Sequence, residues 1–289
     1  MTKSAGARLR EIVEARRGTL LPGAGNALAA RIIEDLGYEV AYVSGAGVTN
    51  TWFGMPDLGF MGLTDIANHT AAIRDAVELP LIVDADTGFG NALNVRHTVR
   101  TLERAGANAM QLEDQVMPKR CGHFSGKAIV ETGEMIGKIK AAVDARHSQD
   151  FLIMARTDAR AVHGFEAAVE RCHAFEEAGA DIIFLEAPES VEELRAMPGA
   201  VASPQLVNLV VGGKTPILPT AEFAQMGFSL VLYANVALQA AMAGMQAALG
   251  TLKNGGDVGE ASGLVATFKE RQRLVNKPMY DALDAKYAD

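Results

Sequence analysis

Short apolar runs recur along the chain, and each is followed by polar residues and then by a longer amphipathic stretch. Most runs are rich in β-branched residues and apolar at nearly every position, which is typical of strands buried on both faces of a parallel sheet. Alternation of such strands with helices predicts an α/β fold, and eight units fit a closed barrel. The predicted strands lie at residues 20–21, 40–43, 79–83, 109–112, 151–154, 182–185, 206–210 and 230–233.

A repeated spacing supports the closed barrel. Four glycines each stand seven residues before a strand end, in the pairs Gly37 and Ser44, Gly106 and Glu113, Gly179 and Glu186, and Gly227 and Ala234. Glycine suits the position after a helix end, and strands of equal length then give a barrel a level top edge. We therefore predict a (β/α)8 TIM barrel as a single domain over residues 1–289, with residues 258–289 as a C-terminal helical extension.

Composition narrows the class of protein. The net charge of −8 argues against nucleic-acid binding, because a surface that follows phosphates needs excess Lys and Arg. No run of about 18 apolar residues predicts a membrane span, and the charged N-terminus lacks the apolar segment of a secretory signal. The two cysteines, Cys121 and Cys172, have no metal-binding or disulfide spacing. A cytoplasmic protein with reduced thiols is therefore expected.

Polar residues cluster where the predicted strands end, and barrel enzymes place their chemistry at that rim. For any single residue of this kind, a helix cap or a solvated loop is as good an explanation as a functional role. Convergence of polar residues from several strand ends favours an active site. The residues concerned are Ser44, Asp84, Asp86, Glu113, Asp114, Arg156, Asp158, Glu186, Asn208 and Tyr233.

The segment DADTG places Asp84 and Asp86 two residues apart, so on a strand both carboxylates would point the same way. Their repulsion requires a cation or a shared proton. Oxygen ligands without His or Cys favour Mg2+, or else Mn2+, over zinc. The alternative is a carboxylate pair that shares a proton, as in glycosidases or aspartic proteases.

A second candidate feature is the loop at residues 116–127, in which Pro118, Gly122 and Gly126 disfavour a helix. Lys119, Arg120 and His123 surround Cys121 in sequence and would lower the pKa of its thiol. The pattern predicts a proton-transferring cysteine on a lid over the site. A solvated basic loop is the alternative interpretation.

The run KRCGH at residues 119–123, preceded by EDQ at 113–115, resembles the signature of the isocitrate lyase/phosphoenolpyruvate mutase superfamily. The resemblance extends over nearly the whole chain and is closest to the lyase branch, which includes 2-methylisocitrate lyases, 2,3-dimethylmalate lyases and petal-death-type proteins. Its further motifs are SGAG at 44–47, PDLG at 56–59, DADTG at 84–88, ARTDA at 155–159, EAP at 186–188 and GKTP at 213–216.

This resemblance implies a magnesium-dependent carbon–carbon lyase. Such an enzyme cleaves a 2-hydroxy dicarboxylate or tricarboxylate to an α-keto acid, such as pyruvate, and a second carboxylate. It also implies a homotetramer in which a C-terminal helix is exchanged between subunits, which would explain the surplus helical pattern after the eighth strand.

The resemblance also implies roles for individual residues. Cys121 would protonate the carbanion-like carbon, Arg156 would stabilise the oxyanion, and Tyr42 would handle the hydroxyl proton. Glu113, His123 and Lys119 would complete the catalytic group. The metal would be held, mostly through water, by Asp84, Asp86, Asp57 and Glu113. Substrate would contact Ser44, Gly45, Ala46, Gly122, Arg156, Glu186, Asn208 and Thr215.

Departures from the family pattern bear on the substrate. Residues 124–127 read FSGK, without the arginine that 2-methylisocitrate lyases often carry there, which favours an alkylated malate such as 2,3-dimethylmalate over the tricarboxylate. Ala234 stands near a position where oxaloacetate hydrolases carry serine, which disfavours hydrolysis. An oxaloacetate hydrolase or decarboxylase, and a non-catalytic barrel that binds dicarboxylates, stay open as alternatives.

Overall fold

The structure, a computed structural model, describes residues 3–120, 122 and 126–288. Eight parallel strands pair in chain order and close into a barrel, because the first strand pairs with both the second and the eighth. The predicted fold is thus confirmed. The strands are β1 Thr19–Ala24, β2 Ala41–Val43, β3 Leu81–Asp84, β4 Ala109–Glu113, β5 Leu152–Thr157, β6 Ile182–Leu185, β7 Gln205–Asn208 and β8 Leu230–Tyr233.

Helices follow the strands and surround the barrel. They are α1 Ala5–Glu14, α2 Ala27–Asp35, α3 Gly45–Val48, α4 Leu63–Ala76, α5 Ala92–Arg104, α6 Thr132–Ala145, α7 Ala159–His163, α8 Phe165–Glu177, α9 Val191–Ala200, α10 Thr220–Met226, α11 Val236–Lys253, α12 Phe268–Leu274 and α13 Lys277–Tyr287. A π-helix covers Thr49–Phe53 and a 3-10 turn covers Glu260–Ser262. No helix in the described part of the chain combines the length and apolarity needed to cross a bilayer.

Two apolar cores result from the alternation of side chains along each strand. Val43, Val83 and Leu112 pack in the outer core between the barrel and its helices. The inner core fills the barrel, and Leu9 and Val13 of α1 join it. The same alternation turns the last residues of several strands into the barrel, where they form its polar rim.

The predicted strand limits differ slightly from those observed. The seventh strand ends at Asn208 rather than at residue 210, and the third begins at Leu81. Pro80 precedes the third strand and has no N–H to donate to a ladder, although its carbonyl accepts from Ala41. The loop predicted at 116–127 is closed at its base by an antiparallel bridge between Gln115 and Ile129.

None of the residues of helix α11 is buried. Its sequence is apolar apart from two glutamines, Thr251 and the terminal Lys253, and Leu249 is 63% exposed. Beside its first turns lies a groove of about 720 Å³, whose lining includes Leu28, Ile32 and Ala240. An apolar helix and an apolar groove are therefore both left uncovered in the single chain.

Candidate active site

Asp84 ends strand β3 and points into the barrel, where it is 8% exposed. Its Oδ2 accepts a hydrogen bond from the Gly45 N–H at 3.2 Å. Its Oδ1 accepts from Gln111 Nε2 and from the Asp86 N–H, each at 3.2 Å. Gly45 permits this approach, because a Cβ there would lie 2.9 Å from Asp84 Oδ2 and 3.5 Å from Asp86 Oδ1. Donors from three elements thus hold the carboxylate.

Asp86 lies beside Asp84, but its backbone is not in the strand conformation. It lies beyond the strand and has a left-handed φ of 46°, a conformation that is costly for a residue with a Cβ and is concentrated at functional sites. Burial raises the pKa of its carboxyl to about 7; Lys119 opposes that shift, and nearby Asp84 adds to it. The acidic cluster, defined as Asp57, Asp84, Asp86 and Glu113, therefore contains a carboxylate that ionises with difficulty.

Lys119 brings a positive charge into the acidic cluster. The residue is only 3% exposed. Its Nζ donates a hydrogen bond to Asp57 Oδ1 and lies 2.9 Å from Asp86 Oδ1. Burial alone would lower the pKa of this amine, but Asp86 and Asp57 raise it well above its ordinary value. The amine is therefore charged at neutral pH.

Arg156 on strand β5 lies between three carboxylates. Its Nε and Nη2 donate to the two oxygens of Asp158 at 3.0 and 3.1 Å. Its Nη1 lies 3.1 Å from Glu113 Oε2, and its Nε lies 3.7 Å from Glu186 Oε2. The guanidinium also stands over the ring of Phe184, with its carbon 5.2 Å from the centroid. Planar, bidentate pairing of this kind fixes the direction of the charge.

Glu113 is completely enclosed. Burial raises the pKa of its carboxyl well above its ordinary value, although Arg156 acts in the opposite direction. Its Oε2 faces Arg156, whereas its Oε1 is a buried atom with no hydrogen bond from the described residues. One oxygen of this carboxylate is thus held, and the other is left for a bound group.

A second layer of buried charges holds Arg156 from behind. Lys127 Nζ lies 2.6 Å from Asp158 Oδ1 and also donates to the Gly122 carbonyl, so the loop is tied to the barrel. Asp114 accepts from the Asp158 N–H at 2.9 Å and from Arg171 Nε at 3.0 Å. Such charges are stable in the interior only when they are paired.

A cavity of about 40 Å³ opens between these groups, with room for only a few water molecules. Of the residues predicted for the site, its lining includes Tyr42, Ser44, Ala46, Asp57, Asp84, Lys119, Gly122, Arg156 and Asn208. One part of the wall is apolar and consists of Phe184, Val210, Leu232 and Ala234. A small space with charged groups in its wall and one apolar side suits a carboxylate that carries an alkyl group.

Other predicted residues lie behind the cavity wall. Glu186 is buried, and each of its two carboxylate oxygens lies 3.4 Å from Asn208 Nδ2. Thr215 is 3% exposed, and its hydroxyl has no hydrogen-bond partner among the described residues. The Gly45 N–H is donated to Asp84. Cys121 and His123 lie outside the described residues.

A protein-family model described as phosphoenolpyruvate phosphomutase matches residues 9–253. The chain belongs to the PEP mutase/isocitrate lyase superfamily. The predicted family is thereby confirmed.

Two curated relatives carry the names of the lyases that the sequence resembles. A 2,3-dimethylmalate lyase of Eubacterium barkeri is 42% identical over 282 residues, covering 98% of each chain. A 2-methylisocitrate lyase of Aeropyrum pernix is 44% identical over 278 residues, which is 96% of this chain and 89% of the relative. The similarity therefore includes every strand of the barrel.

Solved structures agree with this assignment. A 2,3-dimethylmalate lyase superposes with a TM-score of 0.91 at 35% identity, covering 99% of this chain and 96% of the other. An oxaloacetate acetylhydrolase bound to 3,3-difluorooxaloacetate gives 0.91 at 34%, covering 99% and 97%. A phosphonopyruvate hydrolase bound to oxalate and Mg2+ gives 0.88 at 30%, covering 99% and 100%. The barrel itself does not distinguish between these activities.

A magnesium site of the superfamily type fits the residues present. Asp86 Oδ1 is paired with Lys119, whereas Glu113 Oε1 is buried and accepts no hydrogen bond from the described residues, which is costly without a bound group. Within those residues, no three His, Cys, Asp or Glu side chains converge closely enough to enclose a metal ion directly. A divalent metal ion held there would keep several of its water ligands.

Two site residues escaped the sequence analysis. Gln111 lines the cavity and donates to two carboxylates, and Asn235 accepts from the Ser44 hydroxyl at 3.4 Å. Gln111 was visible as a polar residue within the strand AMQLE, but its partners are distant in sequence. Asn235 stands two residues after Tyr233 and had no comparable signal.

We predict that Gly122→Ala lowers kcat/KM by roughly 10- to 100-fold, because a misplaced site group costs activity on that scale. A Cβ at this position would lie 2.4 Å from Arg156 Nη2 and 2.7 Å from Glu186 Oε1. Steady-state kinetics and thermal denaturation check the prediction. The matched control is Gly133→Ala, where a Cβ meets nothing within 4 Å. Equal kinetics for the two variants would contradict it.

Proposed function

We propose that this protein is a magnesium-dependent carbon–carbon lyase that cleaves a 2,3-dimethylmalate-type 2-hydroxy dicarboxylate to pyruvate and a second carboxylate. 2-Methylisocitrate is the next substrate in order of preference. The observation that carries the proposal is the buried pairing of Arg156 with Glu113 and Asp158 beside the acidic cluster. A fixed cation of this kind stabilises an oxyanion that develops during bond cleavage.

The chemistry is a retro-aldol cleavage. The substrate hydroxyl gives its proton, relayed by Tyr42, to a carboxylate of the acidic cluster, the bond between C2 and C3 breaks, and C2 becomes the ketone of pyruvate. The electron pair of the broken bond remains on C3, which is conjugated with its carboxylate and then takes a proton. We assign that proton to the Cys121 thiol and the stabilisation of the C2 oxygen to Arg156. His123 and Lys119 would help to orient the Cys121 loop.

Tyr42 takes part as a neutral hydrogen-bond donor. Burial and the nearby Asp84 raise the pKa of its phenol well above 10, so it is protonated at neutral pH. Its hydroxyl donates to Gln111 in this structure. Handling of the substrate hydroxyl proton by Tyr42 would therefore require the phenol to exchange partners rather than to act as an anionic base.

Substrate binding is proposed to use both sides of the cavity. The Ser44 hydroxyl, the Ala46 backbone and the loop at Gly45 would hold the carboxylate of the keto-acid half. Asn208, Glu186, Thr215 and Gly122 would complete the opposite side. Asn208 Oδ1 and the Thr215 hydroxyl are buried without hydrogen bonds from the described residues, so a bound polar group would satisfy them.

Magnesium would be held by Asp84, Asp86, Asp57 and Glu113, mainly through its water ligands. Bound there, it would supply Lewis-acid stabilisation of the substrate oxygens. The cluster retains excess negative charge beyond Lys119 and Arg156, which supports a divalent cation. Mn2+ prefers similar oxygen ligands and would substitute.

The small cavity implies movement of its walls during the reaction cycle. A volume of about 40 Å³ is far below the roughly 300 Å³ at which ligand pockets usually begin. Lys119 and Gly122, which line the cavity, both lie on the loop 116–127. We therefore propose that this loop opens to admit substrate and closes over it.

We further propose a homotetramer in which C-terminal helices are exchanged between subunits. The apolar groove beside α2 and the uncovered face of α11 support this assembly. Exposed apolar surface of this extent is rare on monomers and marks an interaction site. Helices from a second copy of the chain would cover both.

The substrate is tested by incubating the purified protein and Mg2+ with 2,3-dimethylmalate, 2-methylisocitrate and oxaloacetate. We expect pyruvate release from the first, slower release from the second, and little loss of oxaloacetate, because Ala234 offers no hydroxyl to a hydrated ketone. Pyruvate is followed with a coupled dehydrogenase. Rapid loss of oxaloacetate without cleavage of either hydroxy acid would favour the hydrolase.

Paired cysteine variants connect this activity to the site. Cys121→Ser should lose roughly 10²- to 10⁴-fold in kcat, the usual contribution of a positioned acid. Cys172→Ser is the control, because Cys172 lies in the outer core and burial raises the pKa of its thiol to about 12. Full activity in Cys121→Ser would remove the acid assignment.

Chelation tests the metal. We expect EDTA to abolish pyruvate release and Mg2+ or Mn2+ to restore it, because the acidic cluster would otherwise lack its counter-charge. Isothermal calorimetry on the EDTA-treated protein should show Mg2+ binding independently of turnover. Activity that survives exhaustive chelation would return the carboxylates to the proton-sharing interpretation.

Assembly is tested at the groove. Ile32→Glu should dissociate the oligomer, because it places a charge on a surface that we expect a second chain to cover. Analytical ultracentrifugation measures the change, with Leu93→Glu as the control at an apolar residue that is 75% exposed and outside the groove lining. A monomeric wild-type protein, or a tetrameric Ile32→Glu variant, would exclude this interface.

A further inference from the structure

Gln111 is the polar residue in the middle of strand β4, and no part of it is exposed to solvent. Its neighbours Met110 and Leu112 pack in the outer core, so the alternation of the strand turns Gln111 into the barrel. It therefore occupies an inner position below Glu113, in a region filled mainly by apolar side chains. A buried amide there is costly unless each of its polar atoms is satisfied.

Three contacts satisfy the amide and fix its orientation. Its Oε1 accepts the hydroxyl proton of Tyr42. Its Nε2 lies 3.2 Å from Asp84 Oδ1 and 3.4 Å from Glu113 Oε2. An amide nitrogen carries two hydrogens, so one can be directed toward each carboxylate.

The reverse orientation of the amide is strongly disfavoured. It would place the carbonyl oxygen against two carboxylate oxygens and remove one donor from each of them. Tyr42 would then face the NH2 group and lose the acceptor for its hydroxyl proton. The high pKa of Tyr42, caused by burial and by Asp84, keeps that proton in place. The phenol thus determines which end of the amide faces the acids.

We propose that Gln111 is a positioning residue of the lyase site, which sets the carboxylates of Asp84 and Glu113 in the arrangement that binds the metal. The inference rests on the proposed function. Gln111 and Arg156 both lie against Glu113 Oε2, and Glu113 Oε1 is left buried without a hydrogen bond from the described residues. The amide thereby selects which oxygen of Glu113 remains available.

The choice of an uncharged amide has a physical reason. A glutamate at this position would add a third carboxylate between two that are already buried, at a large electrostatic cost. A methionine of similar length would leave both carboxylates without the amide donor. Glutamine supplies two donors and no charge. Partners of this kind that hold metal-binding groups typically contribute 10- to 100-fold to metal affinity or activity.

The test compares Gln111→Met with Gln205→Met in the full-length protein. Gln205 is also a buried glutamine in a strand, β7. It is 3% exposed, and its Nε2 donates to the Met197 carbonyl at 2.7 Å. Both variants lose a buried amide, so both should be less stable on heating. We expect only Gln111→Met to bind Mg2+ about 10-fold or more weakly by calorimetry, and to lose about 10- to 100-fold in kcat.

Tyr42→Phe is the second variant, because removal of one oxygen is better tolerated if Gln111→Met fails to fold. It frees the amide to rotate, so Mg2+ affinity should fall in the same direction by a smaller factor. Unchanged Mg2+ affinity in the folded Gln111→Met variant, or in Tyr42→Phe if that variant alone folds, overturns the inference. An equal loss of affinity in Gln205→Met also overturns it.

The outcomes separate this inference from the proposed function. If the wild-type protein binds Mg2+ and cleaves 2,3-dimethylmalate while Gln111→Met does both equally well, only the role of Gln111 is overturned. If the wild type binds Mg2+ but cleaves neither hydroxy acid, the lyase proposal fails, and the calorimetric comparison still decides the role of Gln111. A wild type that binds no Mg2+ overturns both.

Discussion

The candidate site depends on the burial of one positive charge, the guanidinium of Arg156. A charge removed from water is stable only when neighbouring groups replace its hydration. The parallel sheet provides those groups, because β5 pairs with β4 on one side and with β6 on the other. Glu113 on β4 lies directly beside Arg156 on β5, and Glu186 is the first residue after β6. Asp158, two residues after Arg156, is the third carboxylate that pairs with the guanidinium.

That arrangement imposes a requirement on the rest of the rim. The carboxylates that stabilise Arg156 also repel the acidic cluster beside them, and burial already makes Asp86 and Glu113 difficult to ionise. Lys119 relieves part of this repulsion by bridging Asp57 and Asp86. Because Lys119 belongs to the loop 116–127, the position of the loop and the charge balance of the site are physically connected. A divalent cation would supply the remaining counter-charge.

The loop is tied to the barrel at two levels. Lys119 reaches the acidic cluster, and Lys127 joins the Gly122 carbonyl to Asp158 behind Arg156. The base of the loop is closed by the bridge between Gln115 and Ile129. Movement of this segment would therefore break buried ion pairs at both levels. A reaction that admits a substrate larger than the present cavity must replace those contacts with contacts to substrate.

The order of the strands, the closed barrel and most of the residues at its rim were predictable from the sequence. Strand burial leaves a local pattern of apolar residues, and the first polar residue after each run marks where a strand meets the rim. The motifs at residues 84–88 and 119–123 identified the family because each is a contiguous run of residues, which can be recognised without the fold. Asp86 shows the limit of that reasoning, since its left-handed backbone replaces the strand geometry expected of it.

Only the tertiary structure decided how the charges are paired. Nothing local places Lys119 between Asp57 and Asp86, or sets the amide of Gln111 between Tyr42 and two acids. Nor does the sequence show that the Gly45 N–H is donated to Asp84, or that a groove beside α2 stays uncovered. These contacts join residues far apart in the chain, and they arise because strand register and barrel closure bring distant segments to one rim. The sequence determined which groups are present there, and the closed barrel decided which of them meet.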